Sequence, residues 1–218
     1  NNPAFILRAA VRYEQPRLTM IVNIENLSKS PLIIKSFDVA SNDDLRFRIG
    51  EVPFSIESQN RSSITIDFVM MNMTDYIPIL NLTFEKRNID DQIEIESVST
   101  PLPILFNRWM LPFEIDKKSF FSRWSSIVDT QLVGSLQLMI PDGDVMKETE
   151  SIMKRALGLD PLKFDLAPNN LVAAGAFNCF KVNIGVLIRF VYDEENMDLS
   201  FQVKANVKSA IKIITDIV

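Results

Sequence analysis

Apolar and polar residues alternate along the first half of the chain. Leu18, Met20, Val22 and Ile24 are interleaved with Thr19, Ile21 and Asn23; Leu45, Phe47 and Ile49 with Arg46 and Arg48; Ile64, Ile66, Phe68 and Met70 with Thr65, Asp67 and Val69. Leu80, Leu82 and Phe84 repeat the pattern against Asn81, Thr83 and Glu85, and Ile93 and Ile95 against Glu94 and Glu96. A period of two puts apolar side chains on one face, so these segments predict antiparallel strands with one wet side. The intervening 26–31, 41–44 and 86–91 carry turn chemistry. Short strands at this spacing, without a helical segment, predict a small immunoglobulin-like β-sandwich over residues 1–100.

Pro101-Leu102-Pro103 predicts a rigid extended crossing, after which 101–218 follows another pattern. Residues 106–113 are apolar and aromatic. In 119–128, Phe120, Phe121, Trp124, Ile127 and Val128 share one broad helical face, with Asp116 or Ser119 as the cap. Two readings of that face stay open: an ordinary core helix, or one in which Phe121 and Trp124 stand open as an aromatic site for a peptide. Residues 141–144 predict a turn; the two aspartates there have no third ligand spaced nearby and do not suggest a metal. Residues 145–157 predict a helix closed by Gly158. Three strands follow at 171–179, 182–192 and 197–204, then a helix at 205–217 that buries Val207, Ile211 and Ile214. The second half is thus an α+β unit, a short antiparallel sheet with helices packed on it.

Net charge is −5, from 23 basic and 28 acidic side chains. No basic block is present, which argues against a nucleic-acid groove. No run approaches the ~18–20 apolar residues of a membrane span. Opening on Asn1, the sequence reads as a fragment, so a missing signal peptide says nothing about the full-length protein. The lone Cys179 has no internal disulfide partner and suits a reducing compartment. The chain has no histidine, which removes Ser-His-Asp and Cys-His catalysis and most zinc sites. Glu148 and Glu150 read as a solvated helix face rather than a catalytic pair, so neither enzyme nor cofactor is expected. Sequons at Asn26, Asn60, Asn72 and Asn81 read as chance occurrences.

Several stretches, in order, resemble the appendage, or ear, of the alpha subunit of the plasma-membrane clathrin adaptor complex. They are Pro103-Ile104 leading to Pro112 and Glu114, Phe120-Phe121-Ser122-Arg123-Trp124, residues 168–175, and Ile184-Gly185-Val186-Leu187-Ile188-Arg189. The first half matches around Pro78-Ile79-Leu80-Asn81-Leu82. The resemblance implies a β-sandwich followed by a platform subdomain. It implies a cytoplasmic protein, peripheral at the plasma membrane in clathrin-coated pits. The implied partners are short Asp-Pro-Phe or Asp-Pro-Trp motifs in disordered endocytic accessory proteins, and the rest of the heterotetrameric complex in the full-length chain. Position by position, Phe121, Trp124 and Arg189 fall on the platform's ligand pocket. An uncovered indole beside a guanidinium would receive the ligand's ring and its aspartate.

Two departures stand out. Val191 replaces an acid, and Asp198 replaces a second arginine. A hairpin through Glu194 would bring Asp198 near Val191 and diagonal to Arg189, where the two would pair and make the pocket less cationic. The aromatic expected of a sandwich site near Ile24-Glu25-Asn26 is missing. Rival readings are another coat ear (clathrin adaptor beta or Golgi coat gamma type) and an extracellular adhesion sandwich.

Overall fold

The computed structural model describes residues 5–87, 92–138 and 144–218. The chain divides into two compact units, Asn1–Met71 with Tyr76–Ile104, and Asn72–Asp75 with Leu105–Val218.

The first unit comprises β1 (Phe5–Glu14), β2 (Arg17–Asn26), β3 (Leu32–Ala40), β4 (Leu45–Ile49), β5 (Ser55–Ile56), β6 (Arg61–Met70), β7 (Ile79–Arg87) and β8 (Ile93–Pro101). They form two antiparallel sheets ordered β1-β2-β6-β4 and β5-β3-β7-β8. Leaving aside the two-residue β5, this is the strand order of a constant-type immunoglobulin sandwich. Leu18, Met20, Val22, Ile24, Ile64, Ile66, Phe68 and Met70 supply one inner face, and Leu80, Leu82 and Phe84 the other. The Phe5 ring meets Phe84 edge-on at 4.8 Å. Asn26 is fully buried and its amide donates to the carbonyls of Ser30, Ile56 and Glu57, so this sequon is closed to a glycan. Pro101 closes β8 opposite Ile79, so the first unit runs past the expected crossing. Of the 86–91 turn, Lys86 and Arg87 belong to β7, and 88–91 lie outside the described residues.

The second unit comprises β9 (Met110–Pro112), α1 (Lys117–Ser126), β10 (Val133–Leu138), α2 (Val145–Ile152), β11 (Asn170–Asn178), β12 (Asn183–Asp193), β13 (Asp198–Ala205) and α3 (Lys208–Thr215). Its five-stranded antiparallel sheet is ordered β10-β13-β12-β11-β9. The sheet's odd and even positions face different surroundings. Phe177, Ile184, Val186, Ile188, Phe190, Leu199, Phe201 and Val203 are sealed on one face, where α3 packs. The other face carries α1 over only part of its width.

Several boundaries differ from the sequence reading. The helix predicted over 145–157 is α2 followed by a π-helical turn, Met153–Leu157, ended by Gly158 at φ 68°. The last helix starts at Lys208, because Ala205 is still paired to Val186 in β13. Residues 106–109 form one helical turn before β9. Asp144 caps α2; 141–143, which carry the rest of the predicted turn, lie outside the described residues.

Candidate functional site: the α1 face of the second sheet

Asp116 caps α1 by accepting from the Ser119 amide at 2.9 Å. Bonds from the Ser119 side chain and amide together hold its carboxyl below the usual carboxylate range. Residues three and four apart then fall on one side, and Phe120 and Trp124 go down onto Val172, Ala174 and Leu187 of the sheet. Helix α1 ends at Ser126, so Val128, predicted to share the apolar face, lies outside it and is 82% exposed.

The indole expected to stand open is instead 9% exposed. Phe120 stacks on it at 5.8 Å with 13° between the planes. The Lys204 ammonium lies 5.0 Å from the indole centroid and donates to the carbonyls of Trp124 and Ile127, both at 2.9 Å. Lys204 thereby closes the C-terminal end of α1, a role that nothing in the sequence pattern singled out. Phe121 is half-buried, edge-on to Phe120 at 5.2 Å.

Arg189 lies on the same sheet face, opposite Val172 on one side and Gln202 on the other. Val172 belongs to the apolar cluster under α1, so Arg189 stands at that cluster's rim. Its Nε donates to the Asn170 side-chain oxygen at 3.2 Å, and it is half-exposed. It forms no ion pair with any carboxylate among the described residues. Val191 follows on the same face, opposite Ser200 and Asn170.

The predicted Asp198–Arg189 pairing does not occur. Asp198 sits opposite Asp193, four residues from Gln202, or about 13 Å along the strand. The cause is the turn. The Asp193 carboxylate accepts from the amides of Glu195 and Asn196 and from the Asn196 side chain, at 3.0, 3.2 and 2.8 Å. The Asn196 side chain is the main reason that this carboxyl is held below its ordinary value. Met197 completes the turn at φ 53°. The resulting loop over 194–197 is longer than a hairpin centred on Glu194, and it sets Asp198 too far back. Arg189 therefore keeps its charge uncompensated.

A cleft of about 650 Å³ lies nearby, lined in part by Phe113, Ile115, Leu162 and Phe164. Glu114, Asp116 and Asp160 against the single Lys163 make that lining anionic, a poor host for an acidic ligand. Glu148 and Glu150 are engaged by Arg155 and Lys154 on the exposed side of α2, as a solvated helix face would have them.

No protein-family profile matches the chain. Solved structures with some likeness include the GAE domain of yeast GGA1, at 15% identity over 47% of this chain and 95% of that one, TM-score 0.38. The GAE domain of GGA2p from Saccharomyces cerevisiae is 13% identical over 47% of this chain and 99% of its own, TM-score 0.35. A FixG-related protein from Vibrio parahaemolyticus is 8% identical over the same shares, TM-score 0.27. Each likeness spans under half of this chain, and at these scores none bears on what the chain binds.

Proposed function

We propose that the chain is a protein-interaction appendage of a clathrin adaptor large subunit, of alpha type. In this reading it recruits endocytic accessory proteins by their Asp-Pro-Phe or Asp-Pro-Trp motifs, at the cytoplasmic side of the plasma membrane. The observation that carries the reading is the half-exposed Arg189 guanidinium, free of carboxylates, at the rim of the aromatic cluster beneath α1. The ligand aspartate meets Arg189, a pairing favoured by the planar guanidinium fork. Its ring lies against Phe121 and Val191. Trp124 backs the site from within rather than receiving the ring on its face, and Asp198 stands too far along β13 to compete. The ordered motifs from Phe120 to Trp124 and from Ile184 to Arg189 support the alpha type over other coat ears.

A site of this size buries little area, so a dissociation constant of roughly 1–100 μM is expected for one motif. Partners with several motifs would gain by avidity. Fluorescence titration with labelled Asp-Pro-Phe peptide tests the reading. Arg189→Ala is expected to weaken that peptide about tenfold and to leave its Asn-Pro-Phe counterpart unchanged. Equal losses for both peptides, or no binding of either by the wild-type chain, would overturn the assignment. A Golgi gamma-type ear would ignore both.

A further inference from the structure

A second cationic site lies on the first unit, on the outer face of the β1-β2-β6-β4 sheet. Arg17, Arg46 and Arg48 line a cleft of about 410 Å³ together with Thr19, Phe47 and Val69. None of the three guanidiniums forms an ion pair among the described residues. Two carboxylates also line the cleft, and both are engaged: Glu14 by Arg12, and Asp67 by the Thr19 hydroxyl at 2.9 Å. A hydroxyl bond leaves the Asp67 charge in place opposite Arg48, so the cleft is cationic by three guanidiniums against two carboxylates, in a chain whose net charge is −5.

The cleft adjoins an open sheet edge. Strand β4 is the last strand in its sheet. The Gly50 amide donates to Thr65 and the Met71 amide to Asp44. With the register Leu45↔Met70 through Ile49↔Ile66, these bonds assign the even positions of β4 to the β6 ladder. The amides and carbonyls of Phe47 and Ile49 therefore point away from the sheet. The Phe47 ring, 37% exposed, stands on the opposite side of the strand from Arg46 and Arg48.

We propose that β4 binds an extended acidic peptide by strand addition. Carboxylates at alternate peptide positions meet Arg46 and Arg48, and the apolar residue between them lies against Phe47. The spacing fits: positions two apart on a strand are about 6.8 Å apart, in the peptide as in β4. Planar guanidinium forks favour carboxylates, and the free edge supplies main-chain bonds. An anionic lipid headgroup would use the charges, but neither the exposed ring nor the open backbone edge.

The probe is a labelled peptide with a Glu-Leu-Glu-Leu-Glu core, titrated against a peptide of the same composition ordered Glu-Glu-Leu-Leu-Glu, in which no two acids lie two positions apart. The alternating peptide is expected to bind about tenfold more tightly, because only it presents carboxylates at the arginine spacing. Arg46→Glu combined with Arg48→Glu should remove that binding. Arg46→Gln with Arg48→Gln, which keeps side-chain bulk without charge, should weaken it about tenfold. Bound peptide should slow hydrogen exchange at the Phe47 and Ile49 amides. Arg189→Ala should change none of this, so the site succeeds or fails independently of the one on the second unit. Equal binding of the two peptides, no binding, or unprotected Phe47 and Ile49 amides would overturn the proposal. So would displacement of the peptide by phosphatidylcholine vesicles containing phosphatidylinositol bisphosphate, which would identify a lipid surface instead.

Discussion

Trp124 is held by Phe120, Val172, Leu187 and the Lys204 ammonium. Truncating such a ring removes its burial and leaves a cavity that helix and sheet cannot fully close. Trp124→Ala is therefore expected to cost about 3–5 kcal/mol by denaturant unfolding. A loss below ~1 kcal/mol would mean that the ring is not part of the core. Phe121, half-exposed on the next helical position, is the better probe of peptide contact. The spacing of the two aromatics was legible in the sequence, but which of them faces the sheet was not. That choice follows from the position of α1 over Val172 and Leu187, and from Lys204, some eighty residues away in sequence. Arg189 stood out in the sequence as a cation on a strand. Its freedom from Asp198 did not, because a loop longer by a residue or two, stabilised by Asp193 and Asn196, fixes the register.

Helix α1 also depends on bonds at its two ends. At the C-terminal end, the Lys204 ammonium bonds two carbonyls that have no partner within the helix. Lys204→Met keeps most of the side chain's apolar length and deletes these bonds, and is expected to cost about 1–3 kcal/mol. Faster hydrogen exchange in the last turn of α1 would locate the loss. At the N-terminal end, the Asp116 cap is made by the ionised carboxylate, whose pKa is lowered by Ser119. A group lowered on folding stabilises above its unfolded pKa and loses that contribution as pH falls through its folded value. The first turn of α1 should thus fray only below about pH 4, and Asp116→Asn, which caps without titrating, should flatten that profile.

Other elements were legible to the extent that their periodicity is unbroken. Strands β2, β6 and β7 alternate cleanly and were evident. Strand β3 was missed because its register shifts between Ile34 and Ser36, which throws the alternation out of phase midway. Strand β1 is a partly exposed edge strand in which Ala9 and Ala10 are exposed on both faces, giving little contrast. Strands β9 and β10 are short and lie at the two edges of their sheet, where burial leaves little pattern to read.

Across the molecule the two units rest on different packing, and the chain offers a way to read one alone. Both tryptophans, Trp109 and Trp124, belong to the second unit, so indole fluorescence reports only that unit. One close approach in it is at Gly134 in β10. A methyl there would come within 2.7 Å of methyls on Ile211 and Thr215, and within 2.8 Å of one on Val203. These groups sit on β-branched side chains, which have little rotamer freedom with which to yield. Gly134→Ala must therefore push α3 off the sheet or strain β10, at a cost of about 1–3 kcal/mol. The fluorescence-detected midpoint should move to lower denaturant by that free energy divided by the m-value. Affinity for the Glu-Leu-Glu-Leu-Glu peptide at β4, measured well below that midpoint, should stay at the wild-type value. An unmoved midpoint would mean that α3 does not lie against β10 as closely as these distances require.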